Sequence, residues 1–124
     1  MLAAAGKAIL KEAAVQGAMA LASGGAGNGI SITGRGASHV LKTHFPGGAQ
    51  TAGKSIFKAT ENLVSLVRGA EGTAAVRQAG GNFERVVDAG RAIGTDRAKG
   101  QATSTYTVIT NKLNELVTMF PGTP

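Results

Sequence analysis

Residues 103–120 read TSTYTVITNKLNELVTMF and carry the strongest β-sheet signal in the sequence. Its first part, 103–110, is rich in Thr, Tyr, Val and Ile, which favour the pleated surface of a β-sheet. Its last part, 115–120, alternates between two sets of side chains, as a strand buried on one face does. The four residues between them form a short turn, so the stretch predicts an antiparallel hairpin.

The sequence before the hairpin adds a further strand and several helices. Residues 82–90, NFERVVDAG, alternate in the same way and predict a third strand. Residues 51–68 have an apolar stripe through Ile56, Leu63, Val64 and Val67 and predict the clearest helix, which Gly69 ends. Shorter helices are predicted in 37–44, where a turn is the alternative, and in 71–79. The result is an α+β fold in which N-terminal helices pack on a small C-terminal antiparallel β-sheet.

The first 36 residues are predicted to be separate from the compact unit. The Ala-rich segment 2–22 favours a helix, and 23–36, with six glycines, favours a flexible linker. We therefore expect the end of a delivery or linker region at 1–36 and the functional domain at 37–124. No apolar run approaches a membrane span, and we expect no cleaved signal peptide, because Lys7, Lys11 and Glu12 interrupt the Ala-rich start and leave no continuous apolar core.

Composition limits the chemistry that is available. The absence of Cys excludes disulfides, thiolate metal sites and Cys nucleophiles. Much of the net charge of +6 lies in residues 35–60, which contain no acid and carry Arg35, Lys42, Lys54 and Lys58. Both histidines, His39 and His44, lie in the same window. Such a patch attracts polyanions, nucleic acid first, although ordinary solvated charge is the simpler interpretation.

Residues 48–55, GAQTAGKS, match the P-loop pattern G-x-x-x-x-G-K-[ST] letter for letter. A P-loop needs a buried strand before its glycine-rich turn and a helix after it. The predicted helix supplies the second part, but Pro46 ends the segment before the turn and no strand precedes it. A nucleoside-triphosphate site is therefore a minor alternative, and Lys54, at a helix N-terminus, is kept as a contact for a nucleic-acid phosphate.

Residues 86–124 resemble the C-terminal toxin domains of bacterial contact-dependent growth inhibition proteins of the CdiA type and of related polymorphic toxins. The likeness is to those with the barnase/EndoU/colicin/RelE-type (BECR) nuclease fold. It rests on the turn GRAIGTD, the strand TSTYTVIT and a last strand that ends in FPG. Residues 38–47, SHVLKTHFPG, are similar to the His-bearing start of such domains. The turn NKLNE departs from the pattern because it lacks the expected glycine.

This resemblance implies a metal-independent ribonuclease without a cofactor, often specific for tRNA. In such enzymes the 2′-OH attacks the neighbouring phosphate and leaves a 2′,3′-cyclic phosphate, which requires a base, an acid and cations. The resemblance also implies delivery within a large secreted or cell-surface protein and action in the target-cell cytoplasm, without stable membrane association of the nuclease domain. A cognate immunity protein is expected as a partner, and an acidic surface would complement this basic chain.

Two histidines are the candidates for acid and base. His39 comes first, because an imidazole titrates near neutrality and Lys42 lies close to it. His44 comes second, because rings five residues apart on a helix lie about 140° apart, so only irregular backbone would aim both at one phosphate. Two His without a nearby Cys or carboxylate make a poor zinc site, so no metal is expected.

Further candidates lie in the last third of the chain. Arg91, after Gly90, is a candidate phosphate clamp. If Val108 faces the helices, Thr105 and Thr107 face the substrate and Tyr106 belongs to the core. If the two faces of the strand are reversed, Tyr106 is a candidate proton donor. Sheet propensity alone explains the same letters. RNA phosphates are expected to contact Arg35, Lys42, Lys54 and Lys58.

Three other functions stay open from the sequence. The chain is a non-catalytic nucleic-acid-binding module if RNA stays intact and both histidines are dispensable. It is a nucleotide-binding protein only if Mg-ATP protects it against unfolding. A toxin with another activity on the same scaffold is the remaining alternative, because a fold does not fix a function.

Overall fold

The structure is a computed structural model that describes residues 29–124. The helix predicted at 2–22 and the first part of the predicted linker lie outside these residues. Within the described part, neither helix is long and apolar enough to cross a membrane.

Two helices and seven strands make up residues 29–124. In chain order they are α1 Gly34–His44, β1 Ile56–Phe57, α2 Leu63–Ala70, β2 Val76–Arg77, β3 Phe83–Asp88, β4 Gly94–Asp96, β5 Gln101–Thr103, β6 Thr105–Thr110 and β7 Leu116–Pro121. Four strands form one antiparallel sheet in the order β2-β3-β6-β7, and three form a second in the order β1-β4-β5. The α+β class is confirmed, with two sheets where the sequence predicted one.

The predicted hairpin is confirmed as β6 and β7. Thr107 lies opposite Phe120, and β6 pairs on its other side with β3, the third predicted strand. Asn114 takes the left-handed conformation, with φ of 61°, that a glycine was expected to supply. Asn tolerates this conformation better than other residues with a side chain, so the turn closes without glycine. The predicted strand at 103–110 is broken at Ser104, between β5 and β6.

The helix predicted at 51–68 is wrong in its first half. Residues 51–55 form turns, and β1 follows and pairs with β4. The helix starts only at Leu63, because the Asn62 side chain accepts a hydrogen bond from the Ser65 N–H (3.0 Å) and caps it. Its buried residues are Leu63, Leu66, Val67 and Ala70, so Leu63 and Val67 of the predicted stripe are confirmed, whereas Val64 is exposed. The helix predicted at 71–79 is also wrong, since this segment holds turns and β2.

The packed unit begins before the predicted boundary at residue 36. Ile30 is buried, and Ser31 bridges in parallel to Glu115 at the start of β7. Thr33 then caps α1, its hydroxyl accepting from the Gly36 N–H (3.0 Å). The last part of the predicted linker therefore belongs to the fold, and its Gly36 packs closely against the backbone of Leu116.

The core lies on one face of the four-stranded sheet. Tyr106, Val108 and Met119 are buried there with residues of both helices, and the Tyr106 hydroxyl donates to the Leu66 carbonyl (2.7 Å). Tyr106 is thus a core residue, one of the two predicted alternatives. Because side chains alternate along a strand, Thr107 and Phe120 lie on the opposite face, together with the exposed Val86.

Candidate functional site

His44 is the last residue of α1, and its ring is held in one orientation. Its Nδ1 lies 2.8 Å from the carbonyl oxygen of Ser55. Because a carbonyl oxygen can only accept a hydrogen bond, Nδ1 carries the proton, and the neutral ring keeps its lone pair on Nε2. Burial, with only 8% of the residue exposed, lowers the pKa of His44, and the charges of His39 and Lys54 lower it further. The hydrogen bond to Ser55 acts in the opposite direction without reversing the shift. The ring is therefore suited to be a base at neutral pH.

His39 lies beside this ring. The two ring centroids are 6.0 Å apart in an edge-to-face arrangement, and His39 itself is exposed. The two rings come this close within a regular helix, without the irregular backbone that was expected to be needed to bring them to one phosphate. Side chains of a helix lean toward its N-terminus, so His44 at the end of α1 leans back toward His39. The two rings therefore come close together although their Cβ atoms point in different directions.

Cations adjoin the two histidines. Arg35, His39 and Lys42 are all exposed and are spaced by four and three residues, so they share one face of α1. Lys54 is near enough to His44 to lower its pKa. Lys58 is exposed after β1, and no hydrogen bond or ion pair within residues 29–124 joins it to the histidines.

The P-loop pattern has neither part of its structural context. Lys54 lies in a turn that leads into β1, so the predicted helix N-terminus at this position is wrong. A Cβ on Gly48 would lie 2.3 Å from the Lys42 carbonyl oxygen, so this glycine permits the chain to pack against the end of α1. Lys54 stays in the candidate site through its side-chain charge alone.

Arg91 is engaged elsewhere. Its guanidinium binds the Glu61 carboxylate with both terminal nitrogens, one of them 2.9 Å from its oxygen. The hydrogen bonds to Glu61, and then its charge, raise the pKa of Arg91. Because the fork of the guanidinium is occupied, a phosphate would have to displace Glu61. In the described part of the chain, no hydrogen bond or ion pair joins Arg91 to either histidine.

Thr105 and Thr107 of β6 differ in their exposure to solvent. Thr107 is fully buried, and its hydroxyl donates to the Gly122 carbonyl (2.8 Å). It holds the chain after β7 rather than reaching outward. Thr105 is partly exposed, and its N–H donates to the Thr103 hydroxyl (3.1 Å). Of the two predicted phosphate ligands in this strand, only Thr105 is accessible.

We expect Thr107→Val to lower the free energy of unfolding by about 1–2 kcal/mol, because the Gly122 carbonyl loses a buried donor. Urea denaturation measures this loss, and Thr105→Val, at a more exposed position, is the control with a smaller effect. Cleavage of RNA by the folded variant should stay within a few-fold of the original. A variant of unchanged stability that no longer cleaves would contradict a structural role for Thr107.

The contacts of Ser55, Phe120 and Gly122 were not predicted from the sequence. Ser55, part of the P-loop pattern, orients His44 through its carbonyl and accepts the Arg97 N–H on its hydroxyl (2.8 Å). The ring of Phe120 lies 5.7 Å from that of His44. Gly122, with φ of 91°, passes so close to Asp96 that a Cβ would lie 2.7 Å from its carboxylate. The FPG ending of the last strand was the signal for Phe120 and Gly122, and the P-loop letters included Ser55 for another reason.

Comparison with protein-family models finds no match to this chain, and no curated protein matches it either. Within residues 29–124, no three His, Cys, Asp or Glu side chains are placed to hold a metal ion. Grooves of about 600 and 610 Å³ lie along the outer side of α1 and beside the turn at 80–83, and their linings do not include His44. The candidate site therefore consists of the two histidines, Lys54, Ser55 and Phe120.

Proposed function

We propose that this chain is a metal-independent endoribonuclease with a BECR-type fold, the toxic domain of a bacterial contact-dependent growth inhibition system, with tRNA as its substrate. The observation that carries the proposal is His44, neutral and with Nε2 available as a base, next to His39 in a basic surface. The resemblance of residues 37–124 to toxin domains supplies the biological setting.

The two histidines fit the requirements of 2′-OH attack. His44 Nε2 takes the proton of the 2′-OH while the 2′-oxygen bonds to phosphorus. The bond from phosphorus to the 5′-oxygen breaks, and His39 gives this leaving oxygen a proton. The products are a 2′,3′-cyclic phosphate and a 5′-OH. Rings 6.0 Å apart can reach two oxygens of one phosphate, since each hydrogen bond spans about 2.8 Å.

The surrounding charge supports an anionic substrate. Residues 29–124 contain eleven Lys and Arg against six Asp and Glu, and the ion pairs among them use only Arg68 and Arg91 of the cations. Lys54 and the α1 face of Arg35 and Lys42 are the cations for the phosphate and its neighbours. An exposed basic helix face suits a polymer, which extends beyond the scissile phosphate.

The fold-family part of the proposal rests on the arrangement of elements. A helix with the histidines precedes an antiparallel sheet, both helices contribute to the core on one face of that sheet, and its last two strands form the hairpin. We further propose delivery within a larger secreted or surface protein, action in the target-cell cytoplasm, and an acidic immunity protein that covers the basic face of α1.

We expect the purified chain to cut total RNA, in the presence or absence of EDTA, into fragments with 2′,3′-cyclic phosphate and 5′-OH ends. Mapping the ends by sequencing identifies the RNA and the position of the cut. The double variant His39→Ala/His44→Asn is the control for contaminating nucleases. Intact RNA would contradict the enzymatic function, and loss of cutting in EDTA would contradict the metal-independent chemistry.

A second candidate is nucleic-acid binding without catalysis. The exposed face of Arg35, His39 and Lys42 favours it, because such a face binds phosphates without any chemistry. It predicts salt-sensitive binding of RNA that remains intact after long incubation. The same cleavage assay therefore separates the two candidates.

A further inference from the structure

The aromatic residues divide into two groups. Phe45, Phe57 and Tyr106 are buried in the core, where Phe57 lies between the other two rings. Phe83 and Phe120 are partly exposed. Of these two, Phe120 has its ring against a histidine of the candidate site, with centroids 5.7 Å apart and a tilt of 41°.

Phe120 is partly exposed, and its ring lies against the ring of His44. Its neighbour Met119 is fully buried in the core, so Phe120 points to the other face of β7, where the ring of His44 at the end of α1 meets it. On that face its cross-strand partner is Thr107, and the next residue across the sheet is the exposed Val86. β7 is an edge strand of its sheet, so His44 reaches the ring from beyond the edge.

We infer that the Phe120 ring is a stacking site for the nucleobase next to the scissile phosphate, and so a residue that determines substrate specificity. The inference rests on the proposed ribonuclease function for the identity of its ligand. Proteins hold single-stranded RNA by stacking its bases on aromatic rings, because every base has a π-face. A base on Phe120 would place the adjoining phosphate beside the two histidines. The preference among the four bases then depends on the polar groups around this ring.

The test measures binding to oligonucleotides that cannot be cleaved by 2′-OH attack. The probes are fluorescein-labelled 2′-O-methyl hexanucleotides of A, C, G or U and an abasic hexamer with the same backbone. We expect the unsubstituted chain to bind at least one base-bearing probe about tenfold or more tightly than the abasic one, the order expected for aromatic stacking. Phe120→Leu should lose this difference, and Phe120→Tyr, which keeps a ring, should retain it. Phe83→Leu, at the other partly exposed ring, is the matched control and should also retain it.

Two results would overturn the stacking site. One is equal affinity of the unsubstituted chain for base-bearing and abasic probes, and the other is unchanged affinity of a folded Phe120→Leu variant for every probe. If Phe120 only positioned His44, Phe120→Leu would lower kcat and change the pH profile while the affinities stayed the same. The proposed function has its own test, because intact total RNA together with base-dependent binding would refute the ribonuclease and leave the base site standing.

Discussion

His44→Asn is expected to lower the kcat/KM of RNA cleavage by about a hundredfold to ten-thousandfold, the usual contribution of a general base. The Asn amide can still donate to the Ser55 carbonyl, as His44 Nδ1 does, but it cannot take up a proton. The variant thus removes the chemistry and keeps the contact that orients the side chain. Cleavage of a mapped RNA substrate, followed on gels under single-turnover conditions, measures the change.

His39→Ala is the companion variant. It should reduce cleavage as well, because the leaving oxygen loses its acid, but it should leave the stability unchanged, since His39 is exposed. His44→Asn also removes a ring that contacts Phe120, so circular dichroism must show that the variant is folded. A folded His44→Asn protein that cleaves RNA within threefold of the original rate would refute His44 as the base.

The pH dependence follows from the burial of His44. Burial lowers its pKa from the ordinary value of 6.5, so the neutral base persists somewhat below that pH in the folded chain. The acidic limb of kcat/KM therefore lies below pH 6.5. The unfolded chain takes up the proton more readily, so the free energy of unfolding should fall as the pH drops below 6.5 and be unaffected by His44 above it. His44→Asn should remove this part of the pH dependence.

The hairpin was predictable because its signals are local. Alternation, β-forming residues and a four-residue turn all lie within residues 103–120, and the structure pairs them in β6 and β7. The error at 51–62 has the opposite cause. Ile56 and Phe57 pair with Thr95 and Gly94, almost forty residues later. The sequence around residue 56 contains no pattern that predicts this distant strand pairing. A helical spacing of apolar residues was therefore mistaken for a helix.

The candidate site shows the same limit. His39 and His44 were predicted from the basic segment 35–60, because charge and residue type can be read directly from the sequence. The ring of His44 is held in one orientation by the backbone carbonyl of Ser55. Every residue has such a carbonyl, so the sequence does not predict which one binds the ring. Arg91 was predicted as a phosphate clamp because its partner Glu61, thirty residues earlier, was not predictable from the sequence. Residue type was predictable, but the partner of each side chain was not.

Gly36→Ala is expected to lower the free energy of unfolding by about 2–3 kcal/mol, the size of effect seen when a packed interface is overfilled. A Cβ on Gly36 would lie 2.1 Å from the carbonyl oxygen of Leu116 and 2.9 Å from its carbonyl carbon. Both are backbone atoms of β7, so no side chain can rotate away and α1 must shift from the sheet. The gain from alanine as a helix former, at most about 1 kcal/mol, does not offset this. Thermal and urea unfolding measure the loss.

Gly34→Ala is the matched control, because the same methyl group two residues earlier in α1 meets no atom within 4 Å. It should be neutral or stabilise the chain by up to about 1 kcal/mol. The comparison also bears on function, since α1 carries both histidines and Ser55 must meet His44 at a fixed distance. Gly36→Ala should therefore reduce RNA cleavage even at temperatures where the variant is folded, whereas Gly34→Ala should not. Equal stability of the two variants would mean that α1 does not lie on β7 at Gly36, and the position of both histidines would then have to be derived anew.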